Sequence, residues 1–203
     1  SSLKDRYEIK FIFVIDCRTS DSSKKYALEF SNNIIDQKET TGKGAAVSQA
    51  VTLWKEEPTE IAIFLDADGS YSFDSVLKLI LELESGSDIV SGSRFLSNGS
   101  RPDGMSRLHF FGNRFLSLTS SIRNRRRIRD LCTGLWGFRR EALMKLDLKS
   151  SGFDLEAEIS GLSRKKSLHH KEVEVEWSQR KGGISKLKSI SDGLIIFFRI
   201  IRT

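Results

Sequence analysis

Short apolar runs alternate with stretches of helical spacing through the first half of the chain. The runs KFIFVI at 10–15, IAIFL at 61–65 and DIVSGS at 88–93 predict strands buried on both faces, as in parallel sheets. Between them, KKYALEF predicts a short helix, and Val47, Ala50, Val51 and Trp54 recur at helical spacing. Ser72 is placed to cap a third helix. This alternation predicts an α/β domain with a mostly parallel sheet flanked by helices.

The second half has a different pattern. A helix is predicted from about residue 106 to 122, followed by a strand in CTGLWGFRR and a short helix in EALMKL. KEVEVEW at 171–177 alternates strictly, which predicts a half-exposed strand at a sheet edge near the C-terminus. The end, ISDGLIIFFRIIRT, is apolar but shorter than the roughly 20 residues of a membrane span. We therefore predict one domain at 1–189 and an interfacial helix at 190–203.

Length and charge narrow the class of protein. The chain has 203 residues and a net charge of +6, which suits one domain with an anionic partner such as phosphate, nucleotide or membrane surface. The first residues, SSLKDRYEIK, have no apolar core and predict no signal peptide. Nucleic acid is not predicted as a partner, and the sequence does not indicate an oligomeric state.

Two carboxylates, Asp66 and Asp68, follow the apolar run at 61–65 and need a metal or a charged partner. Three chemistries share this local pattern. A calcium loop is excluded because its sixth residue would be Tyr71 and its twelfth Leu77. A phosphatase with the pattern D-x-D-G-[TS] also needs a later G-D-x-x-x-D segment, and no two Asp residues after residue 90 have that spacing. A metal site for a nucleotide sugar agrees with the surrounding segments.

Seven segments, in order, carry a resemblance to a known family. They are VIDCRTSD, GKGAAV, LDADGSY, DIVSGSRF, DLCTGLWGFRREAL, GFDLEAEI and EVEVEWSQRKGGISKL. In these segments the chain resembles family 2 glycosyltransferases, close to the dolichyl- or polyprenyl-phosphate sugar synthases such as dolichol-phosphate mannosyltransferases. The resemblance implies the GT-A fold, a Rossmann-like sheet flanked by helices with a small antiparallel edge near the C-terminus.

The resemblance also implies a set of donor-binding residues. Asp66 and Asp68 would hold Mg²⁺ or Mn²⁺, which neutralises the departing diphosphate, with Asp68 counted as catalytic. Asp16 would accept hydrogen bonds from the base or ribose, and Lys43 would lie in a phosphate cradle at a helix N-terminus. The remaining donor contacts are expected from the closing segment, from Arg180, Ser185 and Lys186.

The acceptor residues follow from the same resemblance. Arg94 and Arg107 fall where lipid-phosphate synthases gather arginines around the acceptor phosphate. An ionised phosphate needs little base catalysis, whereas a hydroxyl acceptor needs a base. Asp154 is the first candidate for that base and Glu156 the second. Alternatively, both are charges on the solvent face of a helix.

We therefore expect an inverting, metal-dependent transfer of a hexose from a UDP- or GDP-sugar to a polyprenyl or dolichyl phosphate at the cytoplasmic face of a membrane. The alternatives are transfer to a glycan or other hydroxyl, and a non-catalytic nucleotide- or membrane-binding module. Two departures affect base recognition. The first strand of the family, with its Pro-x-[FY]-Asn-Glu turn, does not precede KFIFVID, and Cys17-Arg18 replaces small or polar turn residues.

Overall fold

The computed structural model describes residues 6–38, 42–95, 99–180 and 190–203. The chain divides into two compact units. The first unit contains residues 1–59 and 149–152, and the second contains residues 60–148 and 153–203. Ser185 and Lys186 lie outside the described residues. The predicted boundary between a domain at 1–189 and a terminal helix at 190–203 stays a prediction.

A two-stranded parallel sheet forms the centre of the first unit. Strand β1 (Phe13–Ile15) pairs with β2 (Ile34–Asp36), and helix α1 (Ser23–Phe30) connects them. Helix α2 (Gly42–Trp54) contacts β1 and ends at the buried Trp54. Both helices and β1 agree with the sequence pattern. Strand β2 was not predicted, because three residues are too few to show a periodicity.

The second unit contains a four-stranded mixed sheet. Its strands are β3 (Ile61–Leu65), β4 (Ile89–Ser93), β5 (Leu135–Arg139) and β6 (His170–Glu174), in the order β3-β5-β4-β6. Strand β5 runs antiparallel to both of its neighbours, whereas β6 is parallel to β4. The α/β class is confirmed, and β6 is the predicted edge strand. Beyond β6, Trp177 forms an isolated antiparallel bridge with Tyr71.

The described residues of the second unit form five helices. They are α3 (Phe73–Glu84), α4 (Arg107–Asn124), α5 (Arg140–Lys145), α6 (Leu155–Lys165) and α7 (Ser191–Arg202). The predicted cap of α3 is confirmed, because the Ser72 hydroxyl accepts a hydrogen bond from the Ser75 N–H at 3.3 Å. Ser106 caps α4 in the same way. Among the described residues, no helix is long and apolar enough to cross a membrane.

Two apolar clusters form the core of the second unit. One joins α3 to the strands through Leu79, Leu83, Val90, Leu135 and Val175. The other joins α4, α6 and α7 through Leu116, Ile128, Leu131, Ala157, Ile196 and Ile200. Helix α6 lies very close to the chain end, since a side chain at Gly161 would collide with Thr203. Thus one side of α7 packs against α4 and α6 within the second unit.

Candidate active site

Asp66 is the first residue after β3, and its backbone is hydrogen-bonded to Gly134, the residue before β5. Its N–H donates to the Gly134 carbonyl at 3.1 Å, which continues the β3–β5 pairing by one residue. A Cβ at position 134 would collide with the Asp66 carboxylate, so only glycine leaves that space open. The half-buried carboxylate of Asp66 is therefore placed by a contact between segments that are far apart in sequence.

Asp68 has two oxygens with different surroundings. Its Oδ1 accepts hydrogen bonds from the N–H of Ser70, at 3.0 Å, and from the Ser70 hydroxyl. Its Oδ2 lies 3.2 Å from the Arg180 guanidinium, in a pair whose side chains are 21% and 38% exposed. Gly69, between Asp68 and Ser70, has a φ of +75°, which glycine adopts readily and which closes the turn. One oxygen thus maintains the turn, and the other faces a cation.

Tyr71 ties this turn to two other segments. Its hydroxyl accepts a hydrogen bond from the Gly134 N–H at 2.9 Å and lies 3.2 Å from the Thr133 hydroxyl. Burial raises the pKa of Tyr71, so the phenol stays neutral. On the other side, the Ser178 N–H donates to the Ser70 carbonyl at 3.0 Å, which brings the following residues up to Asp68.

Tyr71 and Gly134 lie in two of the segments that resemble the family, but the sequence alone predicts no role for either residue. An aromatic residue five positions after Asp66 and a glycine just before a strand were the only signs in the sequence. Their contact spans 63 residues, so local spacing alone did not reveal it.

Arg94 follows β4 and is bound to Asp130 rather than directed at solvent. Its Nε lies 2.7 Å from Asp130 Oδ2, and its terminal nitrogen contacts Asp130 Oδ1 and the Cys132 carbonyl at 2.7 and 2.8 Å. Burial alone would lower the pKa of Arg94, but the charge and hydrogen bonds of Asp130 outweigh burial and raise it. This geometry is structural, and the acceptor-phosphate role of Arg94 stays a prediction that no contact here supports.

The other predicted acceptor and base residues lie on helices of the second unit. Arg107 begins α4 and its side chain is exposed. Asp154 precedes α6, is buried, and pairs with Arg199 of α7 at 2.6 Å. Glu156, the second base candidate, is also buried. The ion pair places Asp154 between two packed helices, and its role as a base stays a prediction.

Asp16 and Lys43 belong to the first unit. Asp16 follows β1, and its carboxylate accepts hydrogen bonds from the guanidinium of Arg18 at 2.9 and 3.0 Å. Thus Arg18, which departs from the small or polar residues of the family turn, pairs with Asp16, the residue expected to bind the base or ribose. At the start of α2, the N–H groups of Gly44 and Ala45 donate to the carbonyls of residues 152 and 151. These two amides are already hydrogen-bonded to backbone carbonyls. The roles of Asp16 and Lys43 stay predictions.

The carboxylates of Asp66 and Asp68 suit a divalent metal that takes its other ligands from a bound substrate. Among the described residues, no group of three or more His, Cys, Asp or Glu side chains is placed to hold a metal. Mg²⁺ bound through one or two carboxylates takes its other ligands from water and substrate phosphates. Asp68 Oδ2 is paired with the Arg180 guanidinium, so a metal would bind that oxygen once Arg180 has taken another anionic partner.

The fold and the carboxylate turn together define a class of protein. The profile of "Glycosyl transferase family 2" matches residues 1–147, and the chain belongs to that family. It is 31% identical to glycosyltransferase AglJ of Haloferax volcanii over 94% of this chain and 62% of that protein. It is 26% identical to the dolichyl-phosphate beta-glucosyltransferase of Saccharomyces cerevisiae over 97% of this chain and 67% of that protein.

Solved structures agree on the fold. A glucosyl-3-phosphoglycerate synthase from Mycobacterium tuberculosis, in complex with Mn²⁺, UDP-glucose and phosphoglyceric acid, matches with a TM-score of 0.64. The identity is 14%, over 94% of this chain and 67% of that one. The predicted family and the GT-A fold class are confirmed. The chain spans about 62% of the length of AglJ.

Proposed function

We propose that the chain transfers a hexose from a UDP- or GDP-sugar to a polyprenyl or dolichyl phosphate, with inversion, at the cytoplasmic face of a membrane. The observation that carries this proposal is the turn after β3, which contains Asp66 and Asp68 and in which Asp68 pairs with Arg180. Two carboxylates and a guanidinium suit a divalent metal together with a diphosphate. The similarity to a dolichyl-phosphate glucosyltransferase supports the choice of acceptor.

Each residue of the turn has a separate task in this proposal. Asp66 and Asp68 would hold Mg²⁺ or Mn²⁺, which would supply Lewis acidity toward the departing diphosphate. Arg180 exchanges its partner Asp68 for the diphosphate and stabilises the negative charge that develops there. Tyr71 and Gly134 keep the turn in place through hydrogen bonds that do not depend on the donor.

The bond changes are those of a single displacement. An oxygen of the lipid phosphate attacks the anomeric carbon, the bond from that carbon to the diphosphate breaks, and its electron pair leaves with the nucleoside diphosphate. The attacking phosphate is already ionised, so no proton has to be removed by the protein. Arg107, exposed at the start of α4, orients that phosphate.

Transfer of radiolabelled sugar to a short, water-soluble isoprenyl phosphate tests the proposal. Asp68→Ala should abolish Mn²⁺-dependent transfer, whereas Asp74→Ala, an exposed carboxylate in the first turn of α3, should leave it unchanged. Undiminished transfer by the Asp68 variant would contradict the metal assignment. Transfer to glycan or phosphoglycerate hydroxyls, but not to the isoprenyl phosphate, would contradict the acceptor class.

The acceptor residue needs a test of its own. Arg107→Ala should weaken transfer to the isoprenyl phosphate about tenfold or more, because a charged hydrogen bond to phosphate is lost. Binding of the donor should change little. Arg127→Ala is the matched control, since Arg127 is also an exposed arginine but lies in the loop after α4. An equal loss of donor binding and transfer would rule out the acceptor role of Arg107.

A further inference from the structure

Helix α4 turns large apolar side chains outward. Five of them are between 58% and 71% exposed: Leu108, Phe111, Phe115, Leu118 and Ile122. They recur every three or four residues, so they form one stripe along the helix. A surface helix normally directs such a stripe at the core. In α4 the orientation is the reverse.

Hydrogen bonds fix this orientation of α4. On its inner face, the Asn113 amide donates to Asp130 at 2.6 Å, and the Ser117 hydroxyl accepts from the Leu131 N–H at 2.9 Å. Further along, Asn124 donates to the Ser160 hydroxyl at 3.1 Å. Rotation of the helix would bury the apolar stripe only by breaking these hydrogen bonds, and buried polar groups that lose their partners destabilise the fold.

Helix α7 extends the same apolar surface. Phe115 stacks on Phe197 with ring centroids 5.9 Å apart, and Arg123 donates to the Ile201 carbonyl at 3.5 Å. Ile196 and Ile200 of α7 are buried in the core. Four other side chains of α7, between 49% and 55% exposed, point away from it: Leu194, Ile195, Phe198 and Ile201. We call the exposed apolar residues of the two helices the α4–α7 face.

The charges next to the α4–α7 face are almost all positive. Helix α4 contains three arginines and no Asp or Glu, and residues 125–129 add four more arginines. Of these seven, five are exposed: Arg107, Arg114, Arg123, Arg125 and Arg127. Arg202, at the end of α7, lies 6.0 Å from the ring centre of Phe198. Apolar side chains bordered by long cationic ones match a bilayer surface, where the stems lie on acyl chains and the charges contact anionic headgroups.

The face is connected to the candidate active site through the segment that leads into α4. In that segment Gly104 lies against Gln179, since a side chain at position 104 would come within 2.9 Å of the Gln179 amide oxygen. Gln179 is the neighbour of Arg180, which pairs with Asp68. A bilayer bound to α4 therefore lies one short segment away from the site where a lipid phosphate would react.

We propose that the α4–α7 face is a docking surface for an anionic lipid bilayer. Both helices lie in the plane of the headgroups with their apolar side chains inserted. The proposal goes beyond the reaction, and rests on the proposed function only in its account of why a bilayer is needed, which is that the acceptor is a lipid phosphate. Burial of the large apolar residues supplies most of the binding, and the arginines select anionic lipid.

Flotation of the 203-residue chain with vesicles, without donor or acceptor, tests the proposal. The chain should bind vesicles of phosphatidylcholine and phosphatidylglycerol more tightly than vesicles of phosphatidylcholine alone. Phe111→Ser with Leu118→Ser should weaken that binding by at least about tenfold, because two large apolar side chains no longer enter the bilayer. The control is Leu81→Ser with Met144→Ser, two exposed apolar residues outside the face, which should bind as the unaltered chain does.

A second pair of variants addresses the charges. Arg114→Gln with Arg127→Gln should reduce binding to the anionic vesicles by roughly fivefold per arginine and leave binding to neutral vesicles unchanged. Equal melting temperatures would show that all these surface variants remain folded. If the Phe111 and Leu118 variant binds vesicles as well as the control does, the proposal is wrong.

Two further outcomes separate this proposal from its alternatives. Sedimentation velocity would reveal a dimer that the Phe111 and Leu118 variant dissociates; with vesicle binding unchanged, the face would be an interface between copies and the proposal would be overturned. Vesicle binding that depends on the face, combined with no transfer to the soluble isoprenyl phosphate, would support the docking surface while contradicting the proposed function. Transfer to the soluble isoprenyl phosphate without vesicle binding would support the proposed function and contradict the docking surface.

Discussion

Gly134 sets the position of the Asp66 carboxylate because any larger residue would occupy the same space. We predict that Gly134→Ala displaces Asp66 and weakens the binding of Mn²⁺ with nucleoside diphosphate about tenfold or more. The overpacking should also cost about 1–3 kcal/mol of unfolding free energy. Titration followed by electron paramagnetic resonance measures the affinity for Mn²⁺, and urea unfolding measures the free energy of unfolding.

Gly112→Ala is the matched control for Gly134→Ala. Gly112 lies within α4, and a side chain there meets nothing within 4 Å. Alanine should therefore stabilise α4 by roughly 0.5–1 kcal/mol without any effect on Mn²⁺ binding. Equal Mn²⁺ affinity in the two alanine variants would show that Asp66 does not depend on Gly134.

His170 gives the second unit a dependence on pH. It is buried at the start of β6, between the Ser91 hydroxyl at 2.8 Å and the Arg126 guanidinium at 2.6 Å. Burial, and then the charges of Arg126 and His169, lower the pKa of His170 well below 6.5. The unfolded chain therefore takes up a proton that the folded chain refuses.

The consequence is a loss of stability in weak acid. The contribution of neutral His170 is fully present above about pH 6.5 and is lost as the pH falls below it, with a slope of at most about 1.4 kcal/mol per pH unit. Glu172, whose pKa is raised by burial, acts in the opposite direction above its ordinary value of 4.5. Urea unfolding at about pH 7.5 and pH 5.5 should show a smaller decline for His170→Gln than for the unaltered chain. Equal declines would contradict this assignment.

At the scale of elements, Asp130 joins the residue that follows β4 to α4 through a buried ion pair with Arg94 and a hydrogen bond from Asn113. Asp130 is fully enclosed, and its oxygens accept from Arg94 and from Asn113. We predict that Asp130→Ala costs about 3–5 kcal/mol of unfolding free energy, because the buried guanidinium loses its partner. Chemical unfolding of the second unit would measure this loss.

The double variant Arg94→Met with Asp130→Asn separates charge from packing. It removes the buried charge and keeps an acceptor for Asn113, so it should recover part of the loss. Asp36→Asn, which breaks an exposed pair with Lys24, should change little. If Asp130→Ala proved as mild as Asp36→Asn, the ion pair would not hold the two elements together.

The same elements show how far the sequence could predict the structure. Long apolar or alternating runs predicted β3 and the edge strand β6, because each pattern is local to its own strand. The direction of β5 and its place between β3 and β4 depend on pairings with residues 45 to 78 positions away, which no local pattern specifies.

The candidate site has the same limit. The carboxylates of Asp66 and Asp68 were predicted from a short motif, and the structure places both in one turn after β3. The partner of Arg94 lies 36 residues further on, and that of Tyr71 lies 63 residues further on. Side chains of these types are found both in binding sites and in internal networks, so only the tertiary contacts distinguish their roles.

At the scale of the whole molecule, the proposed donor site should couple metal and nucleotide binding to unfolding. A ligand present at 100 times its dissociation constant stabilises the folded chain by about 2.7 kcal/mol. For a chain of this size, that corresponds to a rise in melting temperature of roughly 5–10 °C. We predict that this rise requires Mn²⁺ together with either UDP or GDP, because two carboxylates alone provide only part of a coordination shell.

A thermal-shift panel of UDP, GDP and dTDP, each with Mn²⁺ or with EDTA, measures this coupling and identifies the base. Asp68→Ala should lose the shift for the preferred nucleotide, whereas Asp74→Ala should keep it. A shift of the same size in EDTA would contradict the metal-dependent donor site. A metal-dependent shift combined with no sugar transfer to any acceptor would instead identify the chain as a nucleotide-binding module, since binding stabilises the fold without requiring the transfer step.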